Sequence, residues 1–233
     1  MNWKLWKRGP ILRVLDSVSP LLASWDKSTH PSQVNLRAYV HDVVARLSPL
    51  PQDVPLFLHM NVDVKDPIRL SRHHDLENYL TPLFGRRYLP PERFVLVTAN
   101  KFVGGGSQIV CGVANSTSES ESNGWEYFAL NAGSGASLSS WKQNIHDVLS
   151  AQNSTKLPSG PVRVRLAFSC STRRNWTTLW KPTGDAMGPV LGLAHPGQPF
   201  NPSDDRIVDL QLHLNIKNEL QNNVEVGMWW RTN

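Results

Sequence analysis

The chain has 233 residues, 40% hydrophobic and 18% charged, a balance that excludes wholesale disorder and suffices for one large domain or two small ones. A formal charge of +5 and a pI near 9.4 favour an anionic partner, nucleic acid or an acidic surface, over a neutral one. No apolar run approaches the ~20 residues of a membrane span, Arg13 and Asp16 interrupt what would be a signal-peptide core, and Cys111 and Cys170 lack any metal-binding spacing. These features predict no membrane partner, buried free thiols and a cytoplasmic protein.

Residues 1–32 read as an N-terminal extension, in which Ile11, Leu12, Val14, Leu15 and Val18 line one side of a short helix ended by Pro20. Lys4, Lys7 and Arg8, beside Trp3 and Trp6, suit either phosphate and base contacts or a solvated basic terminus. From 33 to 115 the pattern is helix, strand, loop, short helix, strand, strand. Leu36, Tyr39, Val40, Val43, Val44 and Leu47 recur at helical spacing before Pro49, and Leu56–Val64 is strand-like. Asp75–Phe84 carries Leu76, Tyr79, Leu80 and Leu83 on one side. Phe94–Phe102 and Gln108–Ala114, joined by a glycine-rich loop, predict a hairpin.

Residues 116–137 form a polar linker with an extra edge strand near Trp125–Leu130 and a Gly133–Ser137 turn. That turn suits a flexible connector ending in a Ser N-cap, or, more remotely, a phosphate cradle. The helix-to-strand pattern then returns over 138–233, with strands near Val162–Phe168, Arg206–Ile216 and Val224–Trp230 and a second hairpin loop at Lys217–Asn223.

The second pattern echoes the first residue by residue. His41-Asp42-Val43 matches His146-Asp147-Val148, Pro55–Val62 matches Pro161–Phe168, Asn78–Gly85 matches Asp185–Gly192, and Pro91–Val95 matches Asp204–Val208. The blocks keep one order, and their offsets drift only where loops fall, which predicts a tandem duplication.

Acids lie in or beside the matched blocks. Asp75, Glu77 and Glu92 in the first unit, and Asp185, Asp204 and Asp205 in the second, are the candidate catalytic and metal-binding residues. Carboxylate clusters suit Mg²⁺ or Mn²⁺, which support attack of water on a phosphodiester. On a helix Asp75 and Glu77 diverge, so both reach one ion only from the extended turn that opens it. The same acids also suit helix capping and turns. His73-His74 reads as solvated loop.

On these motifs each unit resembles the RusA-type Holliday junction resolvases. Asp75-Leu76-Glu77-Asn78 is similar to that family's Asp-x-Asp-Asn-x-x-Lys helix start. Glu92-Arg93-Phe94-Val95 stands where its Asp-Asp pair opens a strand, Asp204-Asp205-Arg206-Ile207 matches that pair well, and Lys101 stands near a strand-end Lys. Lys181-Pro182-Thr183-Gly184-Asp185 keeps the approach and one acid. Thr81 and Gly188, however, stand where the family has its catalytic Lys. The resemblance implies an α/β (α+β) fold, and, since the family acts as a homodimer, an intramolecular pseudodimer with one composite site or none.

Arg69, Arg72, Arg86, Arg87, Arg173, Arg174 and Lys181 flank the acids and are the candidate nucleic-acid contacts. Tyr88, Trp176 and Trp180 suit either base stacking or core packing. The function expected is a nucleic-acid-binding protein, with DNA the expected nucleic acid, related to Mg²⁺-dependent structure-selective endonucleases. The alternative is a catalytically inactive scaffold that binds a protein partner or a further copy of itself.

Overall fold

The computed structural model describes residues 3–66, 75–85, 88–117, 124–133, 137–152 and 156–233. The elements are β1 (Leu5–Val18), α1 (Pro31–Leu47), β2 (Leu56–Asp63), α2 (Leu76–Phe84), β3 (Phe94–Phe102), β4 (Ser107–Thr117), β5 (Glu126–Asn131), α3 (Leu138–Ala151), β6 (Val162–Cys170), α4 (Trp180–Asp185), α5 (Gly188–Leu191), β7 (Ile207–Ile216) and β8 (Glu225–Thr232). All eight strands join one mixed sheet in the order β1-β4-β2-β3-β7-β6-β8-β5. Among the described residues no helix is long and apolar enough to cross a membrane.

The pairing pattern reads alike from both edges. β2 lies parallel to β3 and antiparallel to β4, and β4 carries β1 antiparallel on its outer side. β6 lies parallel to β7 and antiparallel to β8, and β8 carries β5 antiparallel. The halves meet where β3 and β7 pair antiparallel, with Thr98 opposite Gln211.

Strict alternation along the central strands separates two faces. Leu58, Met60, Val97, Ala99, Val164, Leu166, Leu210 and Leu212 are buried on one of them. α2 packs there across β3 and β7 and touches α4. Phe84 links these layers, with ring contacts to Phe94 at 5.3 Å and Trp180 at 5.2 Å. The other face carries His59, Asn61, Thr98, Asn100, Asp209, Gln211, His213 and Arg165.

Three expectations are corrected. Residues 5–18 form strand β1 rather than a helix. Ile11 and Val14 are exposed while Leu5, Leu15 and Val18 are buried, and the outer side of β4 supplies a hydrogen-bonding partner that outweighs the helical spacing. Pro10, which has no N–H to donate, falls where the β1–β4 register shifts between Arg8 and Ile11. The two hairpins are also absent, because β2 intervenes between β3 and β4, and β6 between β7 and β8. The loops instead wrap over the ends of the intervening strands: Gly104 and Gly106 N–H donate to the Asp63 carboxylate at the end of β2 (2.9 and 3.0 Å). Beyond β6, Ser171 Oγ donates to the Gln221 carbonyl (2.6 Å) and Thr172 N–H to Asn218 Oδ1 (3.2 Å).

The β1–β4 ribbon arches over the polar face of the sheet, Leu5–Arg8 staying paired with Ala114–Thr117 beyond the stretch of β4 that pairs with β2. Val14 pairs with Val110 at the edge, but Trp6 N–H donates to His213 Nδ1 on β7 (3.1 Å) and Trp6 Nε1–H to the Leu214 carbonyl (2.8 Å). Further on, Leu5 packs with Ala167 and Trp229, and the Trp3 and Trp229 rings meet edge-on at 6.0 Å. Gly112 permits the turn, since a Cβ there would lie 2.2 Å from the Pro10 carbonyl oxygen and 2.5 Å from the Phe57 ring. The expected thiols are present, with Cys111 and Cys170 free and buried, and Ser137 caps α3 by accepting from Ser140 N–H (3.1 Å).

Candidate functional site

Asp75 occupies the N-cap of α2 with extended backbone (φ −68°, ψ 123°), but its side chain makes no capping hydrogen bond. It accepts instead from Asn78 Nδ2 at 3.0 Å. Glu77 follows in the first turn, only 5% exposed. The second half contributes Asp204, buried in the 3-10 turn Asp204–Arg206 that opens β7. Carboxylate oxygens of Asp75, Glu77 and Asp204 all lie within 4.8 Å of one another. The three converge because α2 lies across the β3–β7 seam, which brings the N-terminus of one half's helix to the strand-opening turn of the other.

Lys181, at the start of α4, reaches into this group. Its Nζ lies 3.1 Å from Glu77 Oε1, 3.2 Å from Asp204 Oδ2, 3.5 Å from Asp75 Oδ2 and 3.1 Å from Asp185 Oδ1. The other Asp185 oxygen faces Lys142 Nζ of α3 at 3.4 Å. Lys101, on the helix-covered face near the end of β3, is 4% exposed and donates to the Asp205 carbonyl.

The electrostatics follow from burial. Loss of water pushes Asp204 up to about 8, with the Glu77 charge adding to the effect. Burial likewise raises Glu77, partly offset by Lys181. Burial would depress Lys181, but the summed negative charge of Glu77, Asp204, Asp185 and Asp75 outweighs it and holds the ammonium well above its usual range. Lys101 is pulled down to about 8, burial winning over the nearby acids. Buried acids that resist ionisation need compensating positive charge, which a proton, an ammonium or a divalent ion can each supply. Three carboxylates at this spacing fit the oxygen preference of Mg²⁺ or Mn²⁺.

The other predicted residues are dispersed. Asp185 joins the cluster through Lys181 and Lys142. Asp205 is half-buried, its carbonyl on Lys101, and lies outside the close trio. Glu92 is exposed on the 3-10 turn Pro91–Arg93. Arg173 is exposed and Arg174 half-buried in the loop after β6, whereas Lys181 engages the acids. Arg69, Arg72, Arg86 and Arg87, with His73 and His74 and most of the Gly133–Ser137 turn, lie outside the described residues. Trp176 and Trp180 are core: the Trp176 indole donates to the Pro91 carbonyl (2.9 Å) and the two rings meet at 4.9 Å. Sequence reasoning left Lys101 and Lys142 out of the site. Lys101 had a legible signal, its place near the strand-end Lys of the resembled family.

The chain matches no protein-family model and no curated protein.

Proposed function

We propose that this protein binds nucleic acid and is related to the RusA-type, Mg²⁺-dependent structure-selective endonucleases, with two tandem units folded as an intramolecular pseudodimer around one composite centre. The observation that carries the reading is the convergence of Asp75 and Glu77 with Asp204, two incomplete acidic sets that complement each other across the seam. The matching strand pairing of the two halves supports the duplication.

In this reading Asp75, Glu77 and Asp204 hold Mg²⁺ or Mn²⁺, which when bound polarises a phosphoryl oxygen and acidifies its water. Lys181 takes the place of the helix lysine that Thr81 and Gly188 lack. It is 35% exposed on its side chain, so it can swing from the carboxylates to a phosphate oxygen as the acids take up metal. Lys101, buried beside the acids and held by the Asp205 carbonyl, adds a second positive charge to the centre. Arg173, exposed in the loop after β6, and the half-buried Arg174 beside it would meet the phosphate backbone in this reading.

Incubation with branched, duplex and single-stranded DNA and RNA, with and without Mg²⁺ or Mn²⁺, tests the reading. Metal-dependent cutting lost in Asp75→Asn and Asp204→Asn supports it. A second reading is favoured by Lys181 itself, whose contacts with four carboxylates resemble a permanent substitute for the ion. In that case the protein is an inactive scaffold for a protein partner or another copy of itself, cuts nothing, and melts at one temperature with or without divalent metal.

A further inference from the structure

The face of the sheet away from the acidic centre encloses a second site. The arch of β1 leaves a cavity of about 630 Å³ over the β3–β7 seam, lined from six strands, well within the range of about 300–1,000 Å³ that small-molecule sites occupy. Its charge is one-sided: Lys7, Arg8 and Arg165 line it against a single acid, Asp209. Burial raises the Asp209 carboxyl, opposed by Arg163, Arg165 and Arg231, so the acid offsets the cations incompletely.

Arg165 is 6% exposed. It is anchored by Nε–H donation to Gln211 Oε1 (3.0 Å) and lies 4.8 Å from the Trp125 ring centre. Such a guanidinium is costly to bury for packing alone. Hydrogen bonding is also incomplete at the floor. His213 Nδ1 accepts from Trp6 N–H, and burial keeps the ring neutral, so its proton sits on Nε2. That Nε2 is buried without a hydrogen-bond partner, as is Asn100 Oδ1 on the neighbouring strand. His59, by contrast, is satisfied at both nitrogens, by Thr98 Oγ1 and Asn61 Oδ1 at 2.8 Å each. The floor thus holds one unmet donor and one unmet acceptor beneath a lining of net positive charge, each unfavourable when buried.

We propose that the cavity beneath the β1 arch binds a small phosphate-bearing molecule of nucleotide size, its phosphate held between Arg8 and Arg165 and its polar remainder against the Asn100, Gln211 and His213 edges. Arginine forks recognise phosphate oxygens in this way, and the neutral amides and imidazoles suit hydroxyls or a base edge. The proposal is independent of the acidic centre, which lies on the opposite face.

Calorimetric titration of the full chain at constant ionic strength tests it, with inorganic phosphate, adenosine 5′-monophosphate, adenosine and a short single-stranded oligonucleotide as probes. The monophosphate is expected to bind more tightly than phosphate, and adenosine not at all. Affinity is expected to fall about tenfold or more in Arg8→Gln and in Arg165→Gln, as loss of a charged hydrogen bond requires. Should Arg165→Gln fail to fold by circular dichroism, Arg8→Gln and Lys7→Gln carry the test, because both side chains are exposed. Equal binding of adenosine, no heat with any phosphate, binding of the oligonucleotide alone, or an Arg8→Gln affinity equal to wild type would each overturn the proposal. Binding unaltered in Asp75→Asn separates this site from the metal centre.

Discussion

Lys181 Nζ sits 3.1 Å from Glu77 Oε1, joining a cation from one half of the chain to a nearly inaccessible acid from the other. The ammonium is the charge that lets Glu77, Asp75, Asp185 and Asp204 share a small volume, and what happens when it is removed or displaced decides the chemistry of the centre.

Lys181→Met should lower metal-free stability by on the order of 2 kcal/mol, less than the full cost of breaking a buried pair because the ammonium is partly solvated. Mg²⁺ should restore much of the loss by supplying the missing charge. Thermal melts in EDTA and in Mg²⁺ read this directly, and a variant that melts like wild type in EDTA would show that Lys181 does not neutralise the acids.

The pH dependence of metal-free stability should pass through a minimum near pH 8. Asp204 is raised from 3.8 to about 8, so between those values the folded chain holds a proton the unfolded chain has lost, and stability falls as pH rises. Lys101 is depressed from 10.5 to about 8; above pH 8 the unfolded chain holds the extra proton, and its contribution makes stability recover. Urea unfolding across this span, compared with Asp204→Asn, isolates the first limb. An identical profile in the variant would refute the assignment.

Asp204→Asn should abolish the metal-induced rise in melting temperature without lowering stability in EDTA, since it removes a buried acid that resists ionisation. Asp205→Asn should keep the metal response, its carboxylate lying outside the trio. At metal one hundredfold above Kd the wild-type gain is about 2.7 kcal/mol. A response lost in Asp205→Asn and retained in Asp204→Asn would reverse the geometry proposed for the centre.

Gly112→Ala should destabilise by roughly 1–3 kcal/mol, the usual cost of overpacking, because the added carbon meets the Pro10 carbonyl and the Phe57 ring. The damage should localise to the arch. Faster tryptic cutting at Lys4, Lys7, Arg8 or Arg13 would report it, and unchanged cutting with unchanged stability would show that β1 tolerates a wider path.

Any nucleic-acid binding should weaken steeply with salt through counterion release. Charge reversal at Arg173 and Arg174 should weaken it further, in proportion across sequences. Affinity indifferent to salt would direct attention to a protein partner.

Local chemistry made much of this molecule legible. Alternation and flanking turns placed the sheet strands from Leu56 onward within a few residues, 3.6-residue spacing placed α1 and α2, the His-Asp-Val echo placed α3, and the short acidic motifs located the acids. What the residues cannot state is which strands become neighbours. Glycine-rich and polar loops read as hairpins, yet they pass over β2 and β6, because a parallel partner buries both faces of those strands more completely than a two-stranded ribbon would. β1 read as a helix because its apolar residues recur at helical spacing; only β4, with an unpaired outer side, makes it a strand. The same limit applies to the centre. Asp75, Glu77 and Asp204 were visible one by one, but their meeting, and the exclusion of Glu92, depend on the antiparallel β3–β7 seam, a contact between segments more than a hundred residues apart that no local pattern encodes.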